Sequence, residues 1–426
     1  MKSVKYLIIG NSAAGTNAAE AIRSVDISGS IAIVSDENYR VYSRPLISYF
    51  LCNRVDENRM YYRDKDFYYR NNIELIAGIR AMELNVKKKS VKLQNETIRF
   101  DRLLIATGSK PIIPNIGKIA HGVFTFLTWD DAKKVKEFIN EKKARNAVVV
   151  GAGLIGLKAT EALVELGIKV TLVELADRIL SSTFDRNASS IIENALKKYG
   201  CSIITNDTIK NILYRSKVVE KIMLRSGKTL KTDMVILAIG VIPNLDIVHN
   251  TPIKTDRGIL VDEHMQTNIQ DVYAAGDVVQ ASDRILGKVR TIAIWPNACK
   301  QGRIAGLNMA GIEKLYDGSF AMNSVELCGI PTISMGLTEP PDNTFQVMSE
   351  YDKDSSAYRK VVLKDNIVVG TIFVNKIDRA GIFWGLIKDR VDTGNFRDCL
   401  LSDDFGLIYL PKEYRKHLVT GPGIEV

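Results

Sequence analysis

The chain has 426 residues, of which 46% are hydrophobic and 25% charged, with a formal net charge of +9 at pH 7. That length is too great for one core, so two or three domains are expected, and the balance of residues excludes an intrinsically disordered chain. No run approaches the roughly 18 apolar residues of a membrane span, and five scattered cysteines without a CxxC or metal-ligand spacing exclude an intrinsic iron–sulfur cluster or zinc site.

The cysteines are Cys52, Cys201, Cys299, Cys328 and Cys399. Basic runs such as residues 87–89 are short and dispersed, which reads as solvated surface rather than a nucleic-acid site. The opening MKSVKYLIIGNSAAG carries lysines and an apolar run, but YLII is too short for the core of a signal peptide. A cytoplasmic location is expected.

In chain order, residues 5–15 (KYLIIGNSAAG) are an apolar strand running into a glycine loop, and a small-residue helix follows in TNAAEAIRSV. Gly10, Ser12 and Gly15 fall at the G-x-G-x-x-G positions, with Ala13 and Ala14 between them. The first glycine permits the tight turn, the small middle residue lets a pyrophosphate approach, and the last allows helix and strand to pack closely. The helix N-terminus then offers N–H donors to phosphates. A second strand, SIAIVSDE, ends about 20 residues later in Asp36 and Glu37, where a carboxylate can bind a ribose hydroxyl.

Next comes YSRPLISYFLC (residues 42–52), then RLLIATGSKPIIP (residues 102–114). The glycine pattern recurs in full at residues 147–174, AVVVGAGLIGLKATEALVELGIKVTLVE, with Gly151, Gly153 and Gly156 as the fingerprint, Leu154 and Ile155 inside it, and Glu174 closing the second strand. A carboxylate there repels a 2′-phosphate and favours NADH over NADPH. Two copies of the fingerprint point to two dinucleotides, and the economical pair is a tightly held flavin and a diffusing nicotinamide. Further along lie DMVILAIGVIPN (233–244, containing Gly240), DVYAAGDVV (271–279) and WPNACKQGRIAGLNMAG (295–311). In the last hundred residues, YRKVVLKDN and IVVGTIFV predict a hairpin turning at Asp365-Asn366, followed by a helix in GIFWGLIKDRV and a loose tail in VTGPGIEV.

These motifs, in this order, resemble the FAD- and NAD(P)-dependent pyridine nucleotide–disulfide oxidoreductase superfamily over about three quarters of the chain. The resemblance implies an α/β fold of two Rossmann-like dinucleotide-binding domains, FAD and NAD, the second inserted in the first, plus a C-terminal α+β domain. Residues 1–113 and 246–318 would form the FAD domain, 114–245 the NAD domain and 319–426 a C-terminal interface domain, which in relatives supports dimerisation or covers the flavin. By the same resemblance Ala106, Thr107 and Gly108 pack near the flavin, Gly276 and Asp277 reach its ribityl chain, Trp295 opens a helix turned toward it, and Gly240 closes the NAD domain.

The branch within the superfamily turns on Ser43-Arg44-Pro45. Disulfide reductases, NADH oxidases and CoA-disulfide reductases place a redox cysteine where this chain has Arg44. The stretch VSDENYRVYSRPLIS instead resembles reductases of small electron carriers: rubredoxin reductases, oxygenase-type ferredoxin reductases and the flavin part of NADH-nitrite reductase. There the acid matched by Asp36 binds adenosine ribose, and Arg44 and Pro45 lie along the FAD. Two departures stand out: oxygenase-type reductases carry a lysine at the position of Tyr49, and many relatives carry a glutamate at that of Lys158. A cation at 158 favours anionic reduced flavin, holds a phosphate, or is a solvated helix residue. Cys52, eight residues beyond Arg44, stands about 12 Å further along if LISYFL is helical, and it reads as structural.

The expected activity is hydride transfer between NAD(H) and bound FAD, with electrons passing to or from an acidic rubredoxin- or ferredoxin-like carrier that a chain of charge +9 would attract. The alternatives are an NADH oxidase or CoA-disulfide/persulfide reductase working through Cys52, and the FAD/NAD subunit of a larger complex with an iron–sulfur partner. No metal, nucleic acid or membrane enters the expectation; a homodimer does.

Overall fold

The computed structural model describes residues 2–116 and 121–419. They fall into two compact units, residues 1–173 with 207–319, and residues 174–206 with 320–426. Most of the tail VTGPGIEV, from Thr420 onward, lies outside the described residues.

The first unit is built on β1 (Lys2–Ile9), whose residues Tyr6 to Ile9 are all buried. Such an uninterrupted apolar run suits a strand covered on both faces. After α1 (Ala13–Arg23) the chain returns as β2 (Ile31–Ser35), parallel to β1. The short α2 (Ile47–Leu51) and α3 (Phe67–Arg70) lead to β3 (Ile73–Ala77), parallel to β2. An antiparallel pair, β4 (Ala81–Asn85) and β5 (Ser90–Leu93), feeds β6 (Thr97–Ile105), which runs parallel to β1. The strand order is β3-β2-β1-β6-β5-β4. The first residues of β6 pair with β5, and Leu103 to Ile105 pair with Val272–Ala274 on the same side. The carboxyl ends of β1, β6 and Val272–Ala274 therefore line up, and in open α/β sheets that edge is where ligands sit.

Chain order then gives β7 (Ser109–Pro111), β8 (Val123–Thr125), α4 (Trp129–Lys142), β9 (Asn146–Val150), α5 (Leu154–Glu165) and β10 (Lys169–Val173). A capping box between Thr128 and Asp131 starts α4. Strands β10, β9, Met234–Leu237 and β8 pair in that order, all parallel. An antiparallel meander over Ile209–Arg215, Val218–Leu224 and Thr229–Lys231 accompanies them. A short ribbon ties the two glycine-bearing sheets together: β7 pairs antiparallel with Val241–Pro243. Around it Thr107 Oγ1 donates to Asn244 O at 2.8 Å, and Ile112 N donates to Gly240 O at 3.0 Å.

The second unit holds an antiparallel sheet in the order Met322–Leu327, Ile330–Gly336, Ile367–Val374, Ala357–Lys364, Gln346–Asp352. The hairpin turns at Asp365 and Asn366, with φ of 50° and 60°, the left-handed pair that a two-residue loop of this twist requires. Helix Ala380–Asp389 packs on the sheet through Phe383, whose ring lies 5.1 Å from that of Phe373. Helix Arg186–Lys198 is capped by Asp185, whose carboxylate also accepts from Tyr358 at 2.6 Å and Lys360 at 2.9 Å in a buried polar cluster. Among the described residues no helix is long and apolar enough to cross a membrane, and no three His, Cys, Asp or Glu side chains gather as a metal site.

Candidate functional site

Two glycine cradles stand in the first unit, each built by the same close approach. A Cβ on Gly15 would lie 1.9 Å from Gly10 O, and a Cβ on Gly156 would lie 1.9 Å from Gly151 O. Only glycine lets each helix begin so tightly over its strand. Ser12 caps α1 and Gly153 caps α5 by position, yet neither helix N-terminus receives a side-chain cap. The first turns are free of acidic residues, so their N–H donors and positive dipole ends suit an anion. At Gly153 a Cβ would meet nothing within 4 Å among the described residues, leaving the mouth of the second cradle open.

Around the first cradle the sheet gathers residues far apart in sequence. Ala106, which precedes Thr107 and Gly108, donates its N–H to Ile9 O at 2.8 Å, and Ala275 donates to Ile105 O at 3.1 Å, placing Gly276 and Asp277 beside the loop 106–108. Gly276 N is held by Gln301 Oε1 at 2.9 Å, from the helix Trp295–Met309. That helix lies directly on α1, since a Cβ on Gly302 would stand 2.1 Å from Ala14 O. Trp295 opens it, its ring edge-on to Tyr62 at 5.1 Å.

Strand β2 stops at Ser35, so Asp36 is exposed just past its end and Glu37 turns back into the site. Glu37 accepts from Tyr42 OH at 2.6 Å and forms a close ion pair with Arg44, whose guanidinium also donates to Leu127 O at 3.3 Å. Arg44 thus has a carboxylate and a carbonyl as partners and keeps about a third of its side chain exposed, 32%. Pro45 sits at the start of a 3-10 turn, Arg44–Leu46. From Arg44 to Cys52 the chain runs through this 3-10 turn and then the five-residue α2, so LISYFL is helical from Ile47 to Leu51. Cys52 caps the C-terminus of α2, and its thiol donates to Tyr49 O at 3.5 Å. Burial, and then the hydrogen bond and charge of Glu165, push this thiol's pKa above its ordinary value, so it is held as thiol rather than thiolate.

A cavity of about 690 Å³ is lined by Ser109, Val241, Pro243, Arg257, Asp277 and Thr291 among others. Burial pushes the Asp277 carboxyl upward, against the pull of Ser109 Oγ at 3.3 Å and of Arg44. Thr291 Oγ1 is buried with no hydrogen-bond partner among the described residues. A carboxyl short of donors and an orphaned hydroxyl on one cavity wall fit a polar, hydroxyl-rich ligand such as the ribityl chain of FAD. Ser109, Thr291, Arg257 and Tyr42 escaped the sequence reading. Ser109 and Tyr42 lie in the motifs at residues 102–114 and 42–52, whereas Thr291 and Arg257 lie in no motif.

At the second cradle, Leu154 and Ile155 form the first turn of α5, with Ile155 exposed, and Gly240 follows Met234–Leu237. Glu174 directly follows β10 but is counted with the second unit, and its Oε1 accepts from Ala176 N at 2.8 Å. Lys158 lies on α5 with its ammonium 4.8 Å from the ring centre of Tyr49 on α2 and 2.7 Å from Glu161.

Residues 4–302 match the family model described as pyridine nucleotide-disulphide oxidoreductase, and residues 322–391 match the rubredoxin NAD+ reductase C-terminal domain. The chain is 34% identical over 408 residues to the NADH-dependent phenylglyoxylate dehydrogenase subunit epsilon of Aromatoleum evansii, covering 95% of this chain and 96% of that one. It is 29% identical to the NADH-rubredoxin oxidoreductase of Clostridium acetobutylicum, covering 95% and 98%. Among solved structures, an NAD-dependent persulfide reductase from A. fulgidus superposes with a TM-score of 0.84 at 27% identity, covering 91% of this chain and 77% of that one. With two glycine cradles in one unit and a family match across most of its length, the chain belongs to the pyridine nucleotide-disulphide oxidoreductase family.

Proposed function

We propose that this protein accepts a hydride from NADH on FAD and delivers the electrons to a separate acidic carrier of the rubredoxin or ferredoxin class. Its family makes it an NAD(P)H-dependent flavoprotein oxidoreductase with FAD and NAD(H) as cofactors. Bound flavin supplies a redox group that takes two electrons from a nicotinamide and returns them to one-electron partners. In this reading residues 1–113 with 246–318 hold FAD, 114–245 hold the nicotinamide nucleotide and 319–426 form an interface, including that of a homodimer. Gly10 to Gly15 take the FAD pyrophosphate, Asp36 its adenosine ribose, and Asp277 with Thr291 the ribityl hydroxyls. Gly151 to Gly156 take the pyrophosphate of the nicotinamide nucleotide, and the carboxylate of Glu174 favours NADH over NADPH.

The observation that carries the acceptor class is the state of the Arg44 segment. Where a thiol reductase of this family needs a thiolate, a guanidinium sits paired with Glu37. The nearby cysteine, Cys52, is a helix cap kept protonated beside Glu165. A guanidinium can orient a phosphate or carboxylate but cannot exchange with a disulfide or attack a persulfide. The rubredoxin-reductase match over residues 322–391 supports the same acceptor class.

The test is anaerobic reduction of the purified flavoprotein by NADH, followed by mixing with rubredoxin, a ferredoxin, oxygen, CoA-disulfide or polysulfide. Fast reoxidation by an iron–sulfur or rubredoxin carrier, with slow reoxidation by the sulfur compounds, is expected. Fast turnover of CoA-disulfide or polysulfide that disappears in Cys52→Ser overturns the proposal. A second reading, a flavin subunit within a larger assembly, is favoured by the likeness to a dehydrogenase subunit. It predicts co-purification of an iron–sulfur partner from the native source, and the native mass would separate that assembly from a homodimer.

A further inference from the structure

The two cradles belong to different sheets, but the elements that follow them meet. Helix α2 comes directly after Arg44–Leu46 on the FAD side, and α5 is the helix of the second cradle. Between them stand Tyr49, Lys158 and Glu161. The Lys158 ammonium lies 4.8 Å from the centre of the Tyr49 ring and 2.7 Å from Glu161 Oε2, with only 19% and 9% of the Lys158 and Glu161 side chains exposed. A neighbouring pair closes the same seam: Arg54, just past α2, donates to Glu165 at the end of α5 at 2.8 Å.

Hydride transfer from a nicotinamide to a flavin needs the two rings brought face to face. Each dinucleotide is anchored by its pyrophosphate at its own cradle, so the rings must meet where the elements of the two cradles approach. The α2–α5 seam is such a place. A buried cation there is costly unless something holds it. Burial opposes the charge of Lys158, but Glu161 and Tyr49 more than offset it and hold the ammonium's pKa above the ordinary lysine value. The lysine stays charged throughout the neutral range.

We propose that Lys158, aligned by the face of Tyr49 and paired with Glu161, is a positioning charge that stabilises the reduced, more negative form of the flavin. This inference rests on the FAD assignment proposed above. The resemblance implies a lysine at the position of Tyr49 in oxygenase-type reductases and a glutamate at that of Lys158 in many relatives. Here the cation projects from the opposite helix, and an aromatic face takes the place from which it would otherwise come. The pair also predicts opposite signs: removing Lys158 disfavours the reduced flavin, and neutralising Glu161 favours it.

The experiment is the midpoint potential of the bound flavin in the full-length flavoprotein, measured by anaerobic dye equilibration, for wild type, Lys158→Met, Glu161→Gln, the double variant and Lys158→Arg. Flavin content, thermal melting and the Kd for NADH are measured alongside. Lys158→Met is expected to shift the two-electron equilibrium at least tenfold toward oxidised flavin, about 30 mV. Glu161→Gln is expected to shift it the other way, and the double variant and Lys158→Arg to stay within tenfold of wild type. A shift of less than tenfold in Lys158→Met, shifts of the same sign in the two single variants, or an effect confined to NADH affinity would each overturn the inference. If Lys158→Met fails to fold because Glu161 loses this cation, Glu161→Gln alone decides it by the sign of its shift. A wild-type protein that binds no flavin would refute the parent proposal instead, so the two failures are distinguishable.

Discussion

Substituting alanine at the last glycine of each fingerprint separates the two cradles. In Gly156→Ala the new Cβ would lie 1.9 Å from Gly151 O, whereas real Cβ atoms keep at least 3.0 Å from such an atom. The start of α5 must therefore retreat from the loop by about 1.1 Å, and backbone on both sides leaves no flexible tip to yield. Misplacement of a bound reactant by about 1 Å costs on the order of 100-fold in rate, and the overpacking itself costs about 1–3 kcal/mol of stability. Stopped-flow reduction of the flavin by NADH is expected to slow about 100-fold, while the protein still purifies with its flavin. Gly15→Ala meets Gly10 O at the same 1.9 Å, but its effect falls on the other cradle, so flavin retention should drop. Reduction by NADH within threefold of wild type in Gly156→Ala, at normal NADH affinity, would refute the assignment of that loop to the nicotinamide nucleotide. A reversed pattern, with flavin lost from Gly156→Ala and retained by Gly15→Ala, would exchange the two sites.

Cys52→Ser should leave electron delivery to a protein carrier within twofold of wild type in steady-state assay, because the proposed mechanism gives this thiol, which donates to Tyr49 O at the end of α2, no redox role; a loss of turnover would restore the thiol mechanism. The second-order rate with an acidic carrier should fall steeply between low and physiological salt, since a chain of charge +9 attracts it over a distance that salt screens. Flavin reduction by NADH should respond far less, and a flat salt dependence of both steps would count against charge steering. In the second unit, Lys360→Ala leaves the Asp185 carboxylate buried with Tyr358 but without its cation; a loss of about 3–5 kcal/mol is expected, read by denaturant unfolding, and a change under 1 kcal/mol would show that the ion pair is not what holds that cluster.

The fingerprints were legible because their constraints are local. Spacing alone fixes which glycine turns, which abuts the strand and which helix end faces the phosphates, and the Asp365-Asn366 turn was readable for the same reason. The sharing of one edge by Gly10, Ala106 and Gly276 was readable only through the family resemblance, since nothing local pairs β6 with both β1 and Val272–Ala274. Partners of side chains were not legible. Arg44 invites a phosphate from sequence, yet its carboxylate partner Glu37 is set by how the loop after β2 folds back. Lys158 and Tyr49 each stood out as departures, but their contact depends on α2 docking against α5, which no periodicity encodes. The grouping of residues 174–206 with 320–426 rests on contacts such as Lys360 with Asp185, 175 positions apart in the chain.

Under the proposed function, no redox groups besides the flavin take electrons from NADH. Anaerobic titration of the oxidised flavoprotein with NADH counts those groups directly. One equivalent of NADH per flavin, with complete bleaching and no lag, is the predicted result. A requirement for two equivalents, the first consumed before the flavin bleaches, would reveal a second two-electron group such as an oxidised cysteine and would contradict the account.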